Sequence, residues 1–238
     1  MPRTERILAE MASAREEQRV LNQWGCGSLR LGASAAACQY FLPDVLLEFR
    51  ECFPDCELDV VSVDAQPAME MVRGGTLDVA ITVLEHRPAE IKIEPLFEDE
   101  LVLVVSPRHP WADLKRVTAK ELHGQKLIVY NRDSLSTAMV RRHLELMGAE
   151  KVSFVTLSSM EAIKEMARVG LCPGMVASWV ADRDLAAGTL KAVRLSGPVL
   201  RRRWAALWPD QRPPSIMAQT LIGLCRDVTV AAPFTTRA

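Results

Sequence analysis

The sequence contains no apolar run approaching the roughly 20 residues that a membrane-spanning helix needs. Its opening stretch, MPRTERILAEMASAREEQRV, lacks the apolar core of a secretory signal. Together these absences lead us to expect a cytoplasmic chain with no membrane partner. Charge of one sign is also missing: 29 Lys and Arg stand against 30 Asp and Glu, a formal net charge of -1. A chain that grips nucleic acid through its overall charge is therefore excluded. The six cysteines (Cys26, Cys38, Cys52, Cys56, Cys172 and Cys225) form no CxxC pair and have no His at ligand spacing. That argues against zinc and leaves a redox switch without a motif, so these side chains are expected to be small apolar fillers. No GxSxG, HExxH, GxGxxG or phosphate-loop pattern occurs, and neither a metal nor a cofactor is expected. Of the four histidines, His86, His109 and His123 fall in apparent loops, where solvation is the simplest role.

What is present is ordinary globular material: 238 residues, 49% apolar and 25% charged, enough for one large domain or two small ones with sizeable cores. Residues 3–24 are rich in helix formers, with interleaved Arg and Glu and apolar points that thin out in the middle. Such a helix suits pairing with a partner better than burial in a core, and Gly25–Ser28 breaks it. After it, strands and helices alternate. "LRLGA" alternates as a strand does, and the apolar residues at 41, 42, 45, 46, 49 and 53 mark one helix face, with Pro43 tolerable only in its first turn. "CELDVVSV" and "TLDVAITV" read as strands, with "AMEMVRGG" a helix between them that Gly74–Gly75 ends.

The stretch "IKIEPLFEDELVLVVSP" reads as two extended segments with a turn at Glu98–Glu100. Strand "QKLIVY", helix "STAMVRRHLELMG", strand "VSFVTL" and helix "SSMEAIKEMARVG" follow. Capping boxes are expected at Thr118/Glu121 and Ser158/Glu161. "PGMVAS", "LKAVRL" and "RRWAALW" are further strands, "SIMAQTLIGLCRDV" is a closing helix, and the tail shows no period. Alternating strands and helices argue for parallel sheets covered on both faces, whose ligands bind beyond the carboxyl ends of the strands.

Three features stand out chemically. Gly32–Ala37 lie between the first strand and the first helix, where Ser34 and free N–H groups could receive the polar end of a ligand, or Ser34 could simply cap the helix. The acidic run Glu98, Asp99, Glu100 reads as a solvated turn, with an acid–base carboxylate pair as the sharper alternative. In "LRRRW" alternation sends Arg201 and Arg203 to one side and Arg202 to the other. Solvated edge positions compete there with an Arg that reaches a ligand carboxylate or a partner chain. No catalytic constellation emerges, so the chain reads as a binder, not an enzyme.

The order of these pieces resembles the effector-binding domain of LysR-type transcriptional regulators. "YFLPDVLLEFRECFPDCEL" is similar to the family's "YLLPxLLxxFxxxYPxVxL" through Tyr40, Leu42, Pro43, Leu46, Leu47, Phe49, Pro54, Glu57 and Leu58. "GGTLDVAI" looks like "xGxLDLAI". "EPLFEDELVLVVSPRHPWA" looks like "xPLxxExLVLVxPxxHPLA", and "SSMEAIKEMARVGLCPGMVAS" like "xSxEAIxxLVAxGLGIALLP". "LKAVRLSGPVLRRRWAALW" resembles the last crossover. The resemblance runs from about residue 29 to 226.

It implies an α/β fold of two Rossmann-like lobes of type-2 periplasmic-binding-protein fold, joined by two crossing strands and preceded by a linker helix. The implied divisions are 1–26 for the linker and dimerisation helix, 27–102 plus 203–230 for lobe I, 103–202 for lobe II and 231–238 for a tail. A small-molecule effector, a small organic acid, would sit between the lobes. The implied contacts are Ser34, Ala35 and Ala36, Val63 and Asp64, Asn131 and Ser134, Thr156 and Ser158, and Pro173, Gly174 and Met175. Helix 3–24 and helix 41–53 would support a homodimer or homotetramer. DNA would be contacted only through a winged helix-turn-helix preceding this sequence, either cut away or lost. "GASAAA" offers fewer hydroxyls than many relatives, Asp64 adds a carboxylate, and Cys172–Pro173 replaces a Gly-Ile-like pair, which points to a ligand less acidic or more apolar than the family's common ones. A transporter's solute-binding protein of the same fold is the alternative.

Overall fold

The computed structural model describes residues 27–86, 90–149, 151–211 and 213–231. The expected helix at 3–24 and the residues after 231 lie outside them. The described residues divide into two compact units: 27–82, 90–94, 206–211 and 213–231 form unit 1, and 83–86, 95–149 and 151–205 form unit 2. The change-overs fall at 94/95 and 205/206, beside expected divisions at 102/103 and 202/203.

Unit 1 begins with β1 (Ser28–Ala33), followed by a single π-helical turn (Ala37–Phe41) that runs into α1 (Leu42–Cys52). Pro43 stands in the first turn of α1, where its missing N–H has no partner to lose. Leu42, Val45 and Phe49 are buried on one face of α1, as the apolar spacing predicts. Then come β2 (Glu57–Ser62), α2 (Ala65–Arg73) and β3 (Val79–Leu84). After α2 the chain turns at Gly75, whose φ of 73 lies in the left-handed region that glycine enters without steric cost. β1 pairs parallel with both β2 and β3. Gly32 on β1 is required by packing, since a Cβ there would meet Leu77 Cδ1 at 2.4 Å. The closing helix α7 (Ile216–Ala231) packs against α1 and buries Met217, Leu221 and Cys225.

Two long strands pass between the units: β4 (Ile91–Val105) and β10 (Arg201–Pro209). The expected turn at Glu98–Glu100 does not exist. β4 is continuous through it, and Asp99 and Glu100 are both buried. Each finds an Arg partner, and with its charge compensated a strand can carry a carboxylate inward.

Unit 2 continues with β5 (Arg116–Val117), α3 (Ala119–Leu122), β6 (Lys126–Tyr130), α4 (Leu135–Leu146), β7 (Ser153–Leu157), α5 (Met160–Arg168) and β8 (Gly174–Ala177). A 3₁₀ turn (Ser178–Ala181), α6 (Asp182–Ala186) and β9 (Lys191–Leu195) complete it. The sheet order is β4-β8-β6-β7, with β6 parallel to β7 and β8, and β4 antiparallel to β8. The capping box at Thr118 and Glu121 is present. On α5 the cap is Ser159, not Ser158: its Oγ accepts the Ala162 N–H at 3.3 Å.

Candidate functional site

In unit 1 the parallel pairing sets Ala33 level with Ser62 and Ile81, so the three strands end at one edge. The chain leaving it is pinned by the Ser34 N–H on Ile81 O at 3.3 Å and the Val63 N–H on Ala33 O at 2.8 Å. Ser34, Ala35, Ala36, Val63 and Asp64 do therefore share this edge. Their side chains differ in access. Ala35, Ala36 and Ala37 are buried, because the helix begins at residue 35 and its first turn packs inward. Their small size serves that packing and does not leave open room. Ser34 Oγ accepts the Ala37 N–H at 3.4 Å, the geometry of a helix cap, and the side chain stays half-buried. Asp64 precedes α2 in extended conformation without capping it through its side chain.

In unit 2 the carboxyl ends of β6, β7 and the parallel β8 form the corresponding edge. Asn131 is there, its N–H donating to Leu157 O at 3.0 Å. Ser134 caps α4. Its Oγ accepts the Thr137 N–H at 3.2 Å and donates to Tyr130 O at 3.1 Å, and the residue is buried. Thr156 and Ser158 are exposed on and just after β7.

Pro173, Gly174 and Met175 do not reach this edge. Gly174 is level with Ile128, in the middle of β6, and Pro173 O accepts the Ile128 N–H at 2.8 Å. A Cβ on Gly174 would lie 2.7 Å from Ile163 Cγ2, so this glycine lets α5 approach the sheet. Gly174→Ala should cost about 1–3 kcal/mol through overpacking, measured by urea unfolding, and a change near zero would show that Ile163 simply swings aside.

The residue of this segment that does reach the edge is Ser178, just past the end of β8. It is buried, and among the described residues its Oγ is the one buried side-chain N or O atom with no hydrogen-bond partner. The resemblance implied contacts at Pro173–Met175 and did not include Ser178.

A polar cluster occupies the same unit. The Asp99 carboxylate accepts from Trp179 Nε1 at 2.7 Å, Trp204 Nε1 at 2.9 Å, Arg202 Nε at 2.8 Å and a second Arg202 nitrogen. Arg202 Nη1 reaches Ser136 Oγ at 2.8 Å, in the first turn of α4. Phe97 stacks on Trp204 with centroids 5.3 Å apart, and the guanidinium lies 5.3 Å from the Trp204 ring. The alternation expected along "RRR" holds: Arg202 is buried while Arg201 and Arg203 are exposed. The solvated-edge reading of Arg202 is thereby replaced, as is the solvated-turn reading of Asp99. On the opposite face of β4, Glu100 Oε1 takes the Arg194 guanidinium at 2.8 and 3.2 Å.

Burial pushes the Cys225 thiol up to about 12, and burial likewise raises Cys38 and Cys56. Among the described residues no group of three or more His, Cys, Asp or Glu could hold a metal ion, and no helix is long and apolar enough to cross a membrane.

Two α/β units with mostly parallel strands, joined by two long strands, are of the type-2 periplasmic-binding class of fold. The family model described as "LysR substrate binding domain" matches residues 23–229, and the chain belongs to that family. It is similar to the uncharacterized HTH-type transcriptional regulator YwqM of Bacillus subtilis (strain 168), 31% identical over 170 residues, 69% of this chain and 57% of that protein. It is also similar to the HTH-type transcriptional regulator CysL of the same strain, 24% identical over 177 residues, 74% of this chain and 59% of that protein. The chain thus spans under two thirds of the length of these relatives. Among solved structures, the Synechocystis PCC6803 CcmR regulatory domain in complex with 2-PG shares the fold, with a TM-score of 0.76 at 19% identity, covering 88% of this chain and 99% of that one.

Proposed function

We propose that this chain is the effector-sensing part of a LysR-type transcriptional regulator. It binds a small organic acid at the carboxyl ends of its strands and passes that state on through the geometry of a homo-oligomer to DNA binding by the whole protein. The observation that carries this reading is the family match over residues 23–229. Two structural neighbours, the CcmR regulatory domain in complex with 2-PG and the BenM effector binding domain with its effector benzoate, support a small acid as the class of ligand. The test is thermal melting of the 238-residue chain against a panel of small metabolites. A saturable rise in melting temperature with at least one of them is expected, because a ligand that binds only the folded state stabilises it. A panel of organic acids, sugars and amino acids that all leave melting unchanged would overturn the reading.

Self-association has a candidate surface in unit 1. A groove of about 480 Å³ is lined by Pro43, Leu46, Leu47, Phe49, Arg50 and Phe53 of the α1 segment together with Cys56 and Leu58 beside it. Leu47, 66% exposed, adds to the apolar lining of this groove. We assign this surface, together with the helix expected at 3–24, to the homodimer. Leu47→Glu should shift the chain toward monomer in sedimentation at micromolar concentration. A wild-type chain that is strictly monomeric there would remove the assignment.

A further inference from the structure

We propose that Ser136, Arg202 and Asp99 are a chain of positioning residues that couples the start of α4 to both strands that leave unit 2. Its use rests on the effector-sensing reading, because α4 begins at the edge assigned to the ligand. The three residues are the path by which a change at that edge reaches the strands.

All three nitrogens of the Arg202 guanidinium are engaged. Nε and Nη2 donate to Asp99, and Nη1 donates to Ser136 Oγ at 2.8 Å. The group is a rigid planar fork, and the side chain is 5% exposed. A shift of Ser136 therefore turns the whole fork, and the turn is felt at Asp99. Asp99 also holds Trp179 Nε1 at 2.7 Å and Trp204 Nε1 at 2.9 Å. Phe97 lies on Trp204 with the rings 9° from parallel, and meets Trp179 edge-on. Phe97 and Asp99 belong to β4, and Arg202 and Trp204 to β10. β4 enters unit 2 at Pro95 and β10 leaves it after Ala205, so the cluster grips both strands where they pass out of the unit. Close packing leaves these side chains few other positions, so a displacement is handed on and not absorbed.

The other end of the chain is the start of α4. Ser134 Oγ and Thr137 Oγ1 donate to Tyr130 O at the end of β6, and the Ala138 N–H donates to Ser134 O at 3.0 Å. Ser136, half-buried in this turn, is where the edge and the strands converge. α5 offers an internal comparison. It begins at the same sheet edge with the same kind of cap, Ser159 Oγ on the Ala162 N–H, and its Ile163 N–H donates to Ser159 O at 3.1 Å. That serine bonds within its own helix.

The test uses the 238-residue chain without ligand, so its outcome is separate from that of the metabolite panel. Ser136→Ala should move the indole N–H NMR signals of both Trp179 and Trp204, acting through Arg202 and Asp99. Ser136→Thr keeps the hydroxyl and should keep both signals, and Ser159→Ala should leave them in place. In the reverse direction, Trp204→Phe keeps an aromatic ring and removes one donor to Asp99. Amide hydrogen exchange at Ala138 should then become about fivefold faster, or more, relative to Ile163, which is the lower end of coupling between linked sites. Taking the ratio of the two amides cancels any general loss of stability. Indole signals of Ser136→Ala that superimpose on the wild type would overturn the coupling and leave the effector reading intact. An Ala138 to Ile163 ratio unchanged in Trp204→Phe would do the same. Coupling that holds while no metabolite in the panel stabilises the protein supports the chain of residues and overturns the effector reading.

Discussion

Asp99→Ala should lower folding stability by about 3–5 kcal/mol, the cost of removing one partner from a buried ion pair. For a chain of this size that corresponds to roughly 6–20 °C in melting temperature. The substitution strands a guanidinium that is 5% exposed and leaves the indole N–H groups of Trp179 and Trp204 without their acceptor. Both indoles are buried, so water cannot replace the carboxylate without opening the cluster. Arg202→Met is expected to cost less. It removes the charge that needs Asp99, and the carboxylate keeps two indole donors. The double variant Asp99→Ala with Arg202→Met should then be more stable than Asp99→Ala alone, the sign of coupling within one network. Urea unfolding of the three variants decides this. A loss below about 1 kcal/mol for Asp99→Ala would mean that the guanidinium finds another acceptor and the cluster is not the anchor described.

This cluster also shows where sequence reading stops. The alternation rule correctly separated Arg202 from Arg201 and Arg203, because side-chain direction along a strand is local. It could not show that Arg202 faces Asp99, 103 positions earlier, because that pairing is made only when β4 and β10 come together. Without it, three consecutive acids look like a hydrophilic turn, and the expected break at Glu98–Glu100 followed. Helix positions were readable because the apolar period and the punctuating glycines are local, as at Leu42, Val45, Phe49 and Gly75. The sheet edges were half readable. The resemblance implied Pro173–Met175, which stand at the start of β8, whereas Ser178 lies just past its end. Ala35–Ala37 and Gly174 are small because neighbours press on them, and only the fold distinguishes that from leaving room for a ligand.

Phe49→Ala should cost about 3–5 kcal/mol, the range for deleting a buried aromatic ring. Phe49 is 1% exposed on the inner face of α1, its ring 5.1 Å from that of Phe53, on the helix that packs against α7. It belongs to the stripe of Leu42 and Val45, one turn apart, so the missing ring cannot be refilled without moving the helix. Leu47 stands two residues earlier on the same helix, 66% exposed, and Leu47→Ala should change monomer stability by no more than about 0.5 kcal/mol. Because Leu47 is assigned to the dimer surface and Phe49 to the core, the two substitutions separate in two readouts. Leu47→Ala weakens self-association with little change in unfolding at low concentration. Phe49→Ala lowers unfolding free energy at every concentration. Should Leu47→Ala prove the more destabilising of the two in dilute protein, the inner face of α1 would be the wrong one, and the helix would be turned in register by about half a turn.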